Sequence, residues 1–185
     1  MVPVLLGLGS NAEFQGRSPL ALLASACARL ESLLCGAEFS SVYESRAMYV
    51  TEQRSFYNMA ARGLVPDSME PHALLRALHE IERAHGRERS REVRNGPRPL
   101  DIDIEEFGTV ELADAELTLP HPRMHERQFV LIPALEIFQK YADCLEGKAL
   151  ASYARRLPDQ GVVRCSEEIQ REFARMKAFG SDAPV

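Results

Sequence analysis

The segment that most restricts the fold is residues 100–107, LDIDIEEF, where apolar and acidic side chains alternate with a period of two. That period belongs to a β-strand with one buried face, because successive side chains point to opposite sides of a sheet. Leu100, Ile102 and Ile104 enter a core, while Asp101 and Asp103 project together on the other side with Cα atoms about 6.5 Å apart. Aspartate is depleted in strands and like charges on one face repel, so a face shielded from water requires a counter-ion. Directly upstream, residues 86–99 (GRERSREVRNGPRP) set Arg87, Arg89, Arg91, Arg94 and Arg98 against Glu88 and Glu92, a local charge of +3 in a chain of net charge −5. Arginine forks neutralise phosphate oxygens, and paired carboxylates hold a hard cation such as Mg²⁺ that also binds phosphate. A cationic loop running into a di-aspartate strand therefore points to a polyphosphate handled with Mg²⁺.

The rest of the chain supplies the frame for that strand. Residues 2–10 (VPVLLGLGS) form an apolar run ending in Gly-Ser-Asn, which suits a buried strand and a tight turn. Ser18-Pro19 reads as an N-cap and a first-turn proline, Leu20, Leu23, Leu30, Leu33 and Leu34 give a helical face, and Gly36 reads as the stop. Residues 39–45 and 56–65 are strand-like, separated by the polar stretch 46–55. A second helix, capped at Ser68 or a neighbour and carrying Pro71, Leu74, Leu75, Leu78 and Ile81, ends at Gly86. Short strand-like pieces follow near 110–112 and 116–119, and 129–138 reads as a helix or apolar turn around Pro133. The order β-α-β-β-α-β predicts an α+β, ferredoxin-like split βαβ fold: an antiparallel sheet with helices on one face, plus a C-terminal helical extension. With 185 residues the chain fits one domain, residues 1–160. Residues 161–185 read as a helical extension with a mobile end.

Composition narrows the function. A sequence pI of about 5.6 argues against a nucleic-acid partner. No apolar run reaches the ~20 residues of a membrane span and the N-terminus lacks signal-peptide features, so the expected location is the cytoplasm, away from membranes. Cys27, Cys35, Cys144 and Cys165 show no CxxC pairing and read as reduced, mostly buried thiols. Gly7-Leu8-Gly9-Ser10-Asn11-Ala12 follows a strand, but the helix starts too late for a dinucleotide fold, and no Walker loop exists. His121 and His125 are spaced like a zinc pair, yet Pro122 between them argues against a continuous helix.

Taken together, the residues resemble the 6-hydroxymethyl-7,8-dihydropterin pyrophosphokinase family of folate biosynthesis. The resemblance is carried by Gly9-Ser10-Asn11, Tyr43-Glu44-Ser45, residues 53–58 (QRSFYN), Ile81-Glu82 with Gly86 to Arg89, Gly96-Pro97-Arg98-Pro99 leading into the Asp101/Asp103 strand, Leu119-Pro120-His121-Pro122-Arg123 and residues 127–131 (RQFVL). It implies transfer of the terminal pyrophosphate of ATP to the pterin hydroxymethyl oxygen, releasing AMP, by a monomer. Asp101 and Asp103 would hold two Mg²⁺ ions. Glu82, Arg87, Arg89, Arg98, Ile104, His121 and Arg127 would serve ATP, with Arg87, Arg98, Asp101 and Asp103 the catalytic set. Ser45, Met48, Phe56, Asn58, Asp101 and Phe129 would hold the pterin, its ring between the two phenylalanines. A Mg²⁺-dependent nucleotide hydrolase and a non-catalytic, RNA-binding ferredoxin-like module are the rival readings. Three positions depart from the family: Asn95 replaces a frequent aromatic, Arg46 stands where a Pro-containing segment is common, and Glu105 adds an acid to the aspartate face, as a third ligand or a solvated group. Loops 46–55 and 87–97 are the expected lid.

Overall fold

A computed structural model describes residues 1–48, 52–89, 96–138 and 145–179. Arg91, Arg94, Asn95, Cys144, part of each expected lid loop and the final residues 181–185 lie outside them. The elements in chain order are β1 (Val2–Ser10), α1 (Pro19–Leu33), β2 (Cys35–Phe39), β3 (Tyr43–Ser45), β4 (Phe56–Val65), α2 (Pro71–Ala84), β5 (Asp101–Phe107), β6 (Leu112–Ala113), β7 (Thr118–Leu119), a 3-10 turn (Met124–Glu126), α3 (Gln128–Phe138), α4 (Leu145–Arg156), β8 (Val163–Arg164) and α5 (Glu167–Phe179). The main sheet runs β5-β1-β4-β3-β8, with β2 also on β4, and each pairing is antiparallel. With β1 between β5 and β4, and β4 between β1 and the β2/β3 edge, this is the split βαβ arrangement that the element order predicts.

Pleat periodicity sorts the side chains into two layers. Leu6 and Leu8 of β1, Met59 and Ala61 of β4, and Ile102 and Ile104 of β5 pack with Leu23, Leu30, Leu74 and Leu78 of α1 and α2. Leu5 and Ala60 point the other way, against Val130, Leu131, Ala134 and Ile137 of α3 and Leu150 of α4. The sheet thus has α1 and α2 on one face as expected, and α3 and α4 add a partial cover on the second. Burial on both faces explains why β1 reads as a nearly continuous apolar run. Serine at the start of α1 acts as foreseen: Ser18 Oγ accepts the Ala21 N–H at 3.3 Å, and Pro19 fills the first turn. α2 begins after Glu70, whose side chain makes no cap bond.

Two expectations need correction. Residues 39–45 are not one strand, because Ser40 and Ser41 divert the chain into side-chain bonds. Ala60 N–H donates to Ser40 Oγ at 3.0 Å, and Ser41 N–H and Oγ both donate to the Glu136 carboxylate at 2.9 and 2.7 Å. Gly36 does not stop α1; the helix ends at Leu33, and Gly36, at φ 62°, sits inside β2. Among the described cysteines, Cys27 and Cys165 are buried and Cys35 is exposed.

The C-terminal elements join the body. β8 extends the sheet along β3, and Phe173 of α5 is buried in the core. Lys177 Nζ lies 2.6 Å from Glu31 Oε1 on α1 and 4.2 Å from the Phe39 ring centroid. Among the described residues, no helix is long and apolar enough to cross a membrane.

Candidate active site

A concave cleft opens on the α3 side of the sheet, the kind of setting in which small ligands are held. Its walls come from β1 (Gly7 to Gly9), the end of β3 with the following turn (Ser45 to Met48), β4 (Phe56, Asn58, Met59), β5 (Asp101, Asp103, Glu105) with Arg98, and the start of α3 with Arg127, Phe129 and Val130. Gly9 leaves the cleft open beside Phe56, Asn58 and Asp101, each within about 4 Å of where its Cβ would stand.

Charge in the cleft is arranged around β5. Asp101 accepts from Arg98 Nη1 at 2.7 Å on one oxygen and from Arg87 on the other. Arg87 simultaneously pairs with Glu82, which is 1% exposed and also accepts from Arg89 at 2.6 and 3.0 Å and from the Ile102 N–H at 2.8 Å. A buried carboxylate on α2 thus aims two arginines at the edge of the cleft and ties them to the backbone of β5. Burial tends to raise the Asp101 carboxyl, but Arg87 and Arg98 overcome it and hold the group below its ordinary value. Burial raises Glu82, with Arg87 and Arg89 opposing.

Asp103 stands apart. Its nearest described cation is Arg127, at 3.5 Å. Burial, together with the neighbouring Asp101 charge, pushes its carboxyl up to about 6. The counter-charge that the sequence demands is therefore supplied by arginine at Asp101 and only weakly supplied at Asp103. This favours cation binding there: an under-compensated carboxylate beside a second one offers the hard oxygen donors that Mg²⁺ takes, with water and phosphate completing its shell.

Glu105 is not solvated. It is fully buried, neither carboxyl oxygen has a hydrogen-bond partner, and His121 Nδ1 stands 3.7 Å from Oε2. Gly7 makes the space: a Cβ there would meet Glu105 Oε1 at 2.8 Å. Burial first, then the charge on Asp103, raises the Glu105 carboxyl well above its usual range. Among the described residues no three acidic, histidine or cysteine side chains cluster as a metal cage, so Glu105 does not complete one. Burial, followed by Arg127 and Arg123, lowers His121 to about 4, leaving it neutral at pH 7.

Of the residues singled out by sequence, Ser45, Met48, Phe56, Asn58, Arg98, Asp101, Asp103, Arg127 and Phe129 line this one cleft. Asn58 Nδ2 donates to Ser45 Oγ at 2.9 Å and to Phe56 O at 3.2 Å, which leaves its carbonyl oxygen as the free acceptor. Arg89 lies in an adjoining groove with His79, Glu82 and Arg87. Ile104 does not reach the cleft; its side chain packs into the core on the helix side of the sheet. Asn11, which the sequence marks only as part of the Gly9-Ser10-Asn11 element, is a hub. Its Oδ1 accepts from Arg98 N–H at 2.8 Å, and its Nδ2 donates to Gln53 Oε1 and Arg54 O at 3.0 and 3.1 Å, joining the two loops that flank the cleft.

The sequence profile of the 7,8-dihydro-6-hydroxymethylpterin-pyrophosphokinase (HPPK) family matches residues 5–139. The 2-amino-4-hydroxy-6-hydroxymethyldihydropteridine pyrophosphokinase of Helicobacter pylori is 37% identical over 132 residues, 70% of this chain and 77% of that one. The Bacillus subtilis protein of the same name is 43% identical over 101 residues, 55% and 58% of the two chains. The mitochondrial folate synthesis bifunctional protein of Arabidopsis thaliana is 39% identical over 110 residues, 60% of this chain but only 19% of that longer one. In fold, the chain is similar to an HPPK-DHPS protein solved in complex with substrates, with a TM-score of 0.57 at 14% identity over 83% of this chain and 43% of the other.

Proposed function

The chain belongs to the 7,8-dihydro-6-hydroxymethylpterin-pyrophosphokinase family, and from that premise we propose that it transfers pyrophosphate from ATP to the hydroxymethyl oxygen of 6-hydroxymethyl-7,8-dihydropterin, releasing AMP. The observation that carries this reading is the convergence of Asp101, Asp103, Arg98 and Arg127 with Phe56, Phe129 and Asn58 on one cleft. One end is built for a polyanion and a hard cation, and the other for a flat heterocycle with a polar edge.

A pterin slid between Phe56 and Phe129 buries both faces against aromatic rings. The unengaged Asn58 carbonyl suits the ring's amide and amino donors, and Ser45 fixes the amide that presents it. Arg98 and Arg127 face the triphosphate from two sides of the cleft, and Arg87 and Arg89 reach it from the adjoining groove. His121, neutral at pH 7, acts as a hydrogen-bonding group rather than a cation. Asp101 and Asp103 would hold the two Mg²⁺ ions, whose chemistry when bound is to neutralise phosphate charge and stabilise the transferring group. The hydroxymethyl oxygen attacks the β-phosphorus in line with the departing AMP oxygen, and the arginines stabilise the charge that spreads over the transferring group. Positioning supplies most of the rate.

The test is to incubate the protein with ATP, Mg²⁺ and the pterin, with a no-pterin control, and separate the nucleotides. AMP formed only with pterin is the expected result. ADP or free phosphate formed equally without pterin would replace this reading with a hydrolase.

A further inference from the structure

Arg127 and Phe129 enter the cleft from a short stretch between the 3-10 turn and α3. Arg127 is the residue whose carbonyl receives the first helical bonds, from Val130 and Leu131 N–H at 3.1 and 3.0 Å. Its guanidinium is buried yet loosely held: Nη1 is 3.5 Å from Asp103, Nε has no hydrogen-bond partner, and Cζ stands 5.4 Å from the Phe129 ring centroid. A side chain with such slack contacts takes its aim from its backbone.

That backbone is bracketed by one side chain from the C-terminal segment. Gln160 Oε1 accepts the Gln128 N–H at 2.8 Å, Gln160 Nε2 donates to Glu126 O at 2.8 Å, and the Gln160 N–H donates to Gln128 Oε1 at 2.9 Å. The bonds fall on the residues immediately before and after Arg127. They satisfy an otherwise orphaned N–H at the start of α3. Gln160 is itself set in a tight turn, where Asp159 Oδ1 accepts the Gly161 N–H at 2.8 Å and Gly161 takes φ 68°. The turn is tied at both ends, by α4 before it and by β8, which pairs with β3 just short of Ser45. An amide is the side chain that can do this, since it offers an acceptor and donors in one plane.

We infer that Gln160 is a positioning residue for this site, acting through the Glu126–Gln128 backbone to aim Arg127 and Phe129 at the phosphate and pterin ends of the cleft. The inference rests on the pyrophosphokinase reading above. It gives the C-terminal segment, which no motif assigns to the reaction, a part in substrate alignment.

The test compares the full-length wild-type chain with Gln160→Ala, Gln160→Glu and the remote Lys177→Ala. Calorimetric binding of 6-hydroxymethylpterin, steady-state constants and thermal unfolding are measured for each. Gln160→Ala is expected to weaken pterin binding and to lower kcat by about tenfold each, as a displaced backbone carries both groups off line. Gln160→Glu keeps the acceptor for Gln128 but loses the donor to Glu126, and falls between. Lys177→Ala lowers the unfolding temperature and leaves both ligand constants at their wild-type values. If the Gln160 variants unfold earlier but retain wild-type binding and kcat, the bracket is only structural and the inference fails. A wild-type chain that neither binds the pterin nor makes AMP overturns the parent reading and this inference with it.

Discussion

Asp101 and Asp103 stand two residues apart on one face of one strand, yet their surroundings differ. Asp101, 22% exposed, is gripped on both oxygens by Arg87 and Arg98 and held in its charged form. Asp103, 37% exposed, has a single cation at 3.5 Å and is pushed up to about 6. The contrast separates two tasks that the sequence assigns jointly. Asp101 anchors the arginines of the α2 edge as a permanent carboxylate, and Asp103 is the carboxylate still short of a positive charge.

The largest expected effect removes the carboxylates. Asp101→Ala and Asp103→Asn should each lower kcat by about 10³-fold or more, since each strips charge complementarity from the transferring group. The two variants should part in stability. Asp101→Ala leaves the buried Arg87 and the half-buried Arg98 short of their partner and should destabilise by about 3 kcal/mol, whereas Asp103→Asn removes a charge that burial disfavours and should leave urea unfolding at neutral pH at or above wild-type stability. Equal losses would erase the distinction.

Next is the buried support of that distinction. Arg87→Ala leaves Glu82, 1% exposed, with a lone, partly exposed arginine. It should destabilise by about 3 kcal/mol and raise the Asp101 carboxyl toward its ordinary range. Urea unfolding and carboxyl titration by NMR measure the two.

The third prediction concerns pH. The folded chain holds a proton on Asp103 up to about pH 6, against an ordinary value of 3.8. The native state therefore loses stability as pH rises from about 4 to 6 and levels off above, an effect softened because the carboxyl is partly exposed. Cation binding moves oppositely: the Mg²⁺ dissociation constant of the ligand-free protein should weaken by up to about tenfold per unit as pH falls below 6. Calorimetry across pH 5 to 8 measures it, and Asp103→Asn should flatten the profile.

The smallest effect sits one step further along the strand, at Glu105. Gly7→Ala places a methyl 2.8 Å from Glu105 Oε1 and should destabilise by about 1–3 kcal/mol, a loss that Glu105→Ala in the same chain relieves. Thermal unfolding of the two single variants and the double closes the cycle.

The legibility of this molecule in its sequence follows the length and regularity of each pattern. β1 and β4 have the bounds that their apolar runs predict, and β5 differs by one residue. The period-two signal places Asp101 and Asp103 on one side correctly, because one face of β5 is fully buried. It cannot distinguish the two, since Arg87 reaches Asp101 from the end of α2 and the arginines' partners are set in three dimensions. β8, two residues long, carries no readable period. The split of residues 39–45 turns on Ser40 and Ser41 finding Ala60 and Glu136, distant in sequence. Glu105 is visible in the sequence as an acid on an acidic face, but its burial depends on Gly7 across the strand pair. Gln160 is unreadable for the same reason: nothing local marks a glutamine that brackets Arg127.

The most direct measurement follows the phosphorus atoms. With ATP labelled at the β-phosphorus in one reaction and at the γ-phosphorus in another, each label should appear on the pterin product, with unlabelled AMP released. Label recovered as free phosphate, or β-label retained on ADP, would contradict pyrophosphoryl transfer in this cleft.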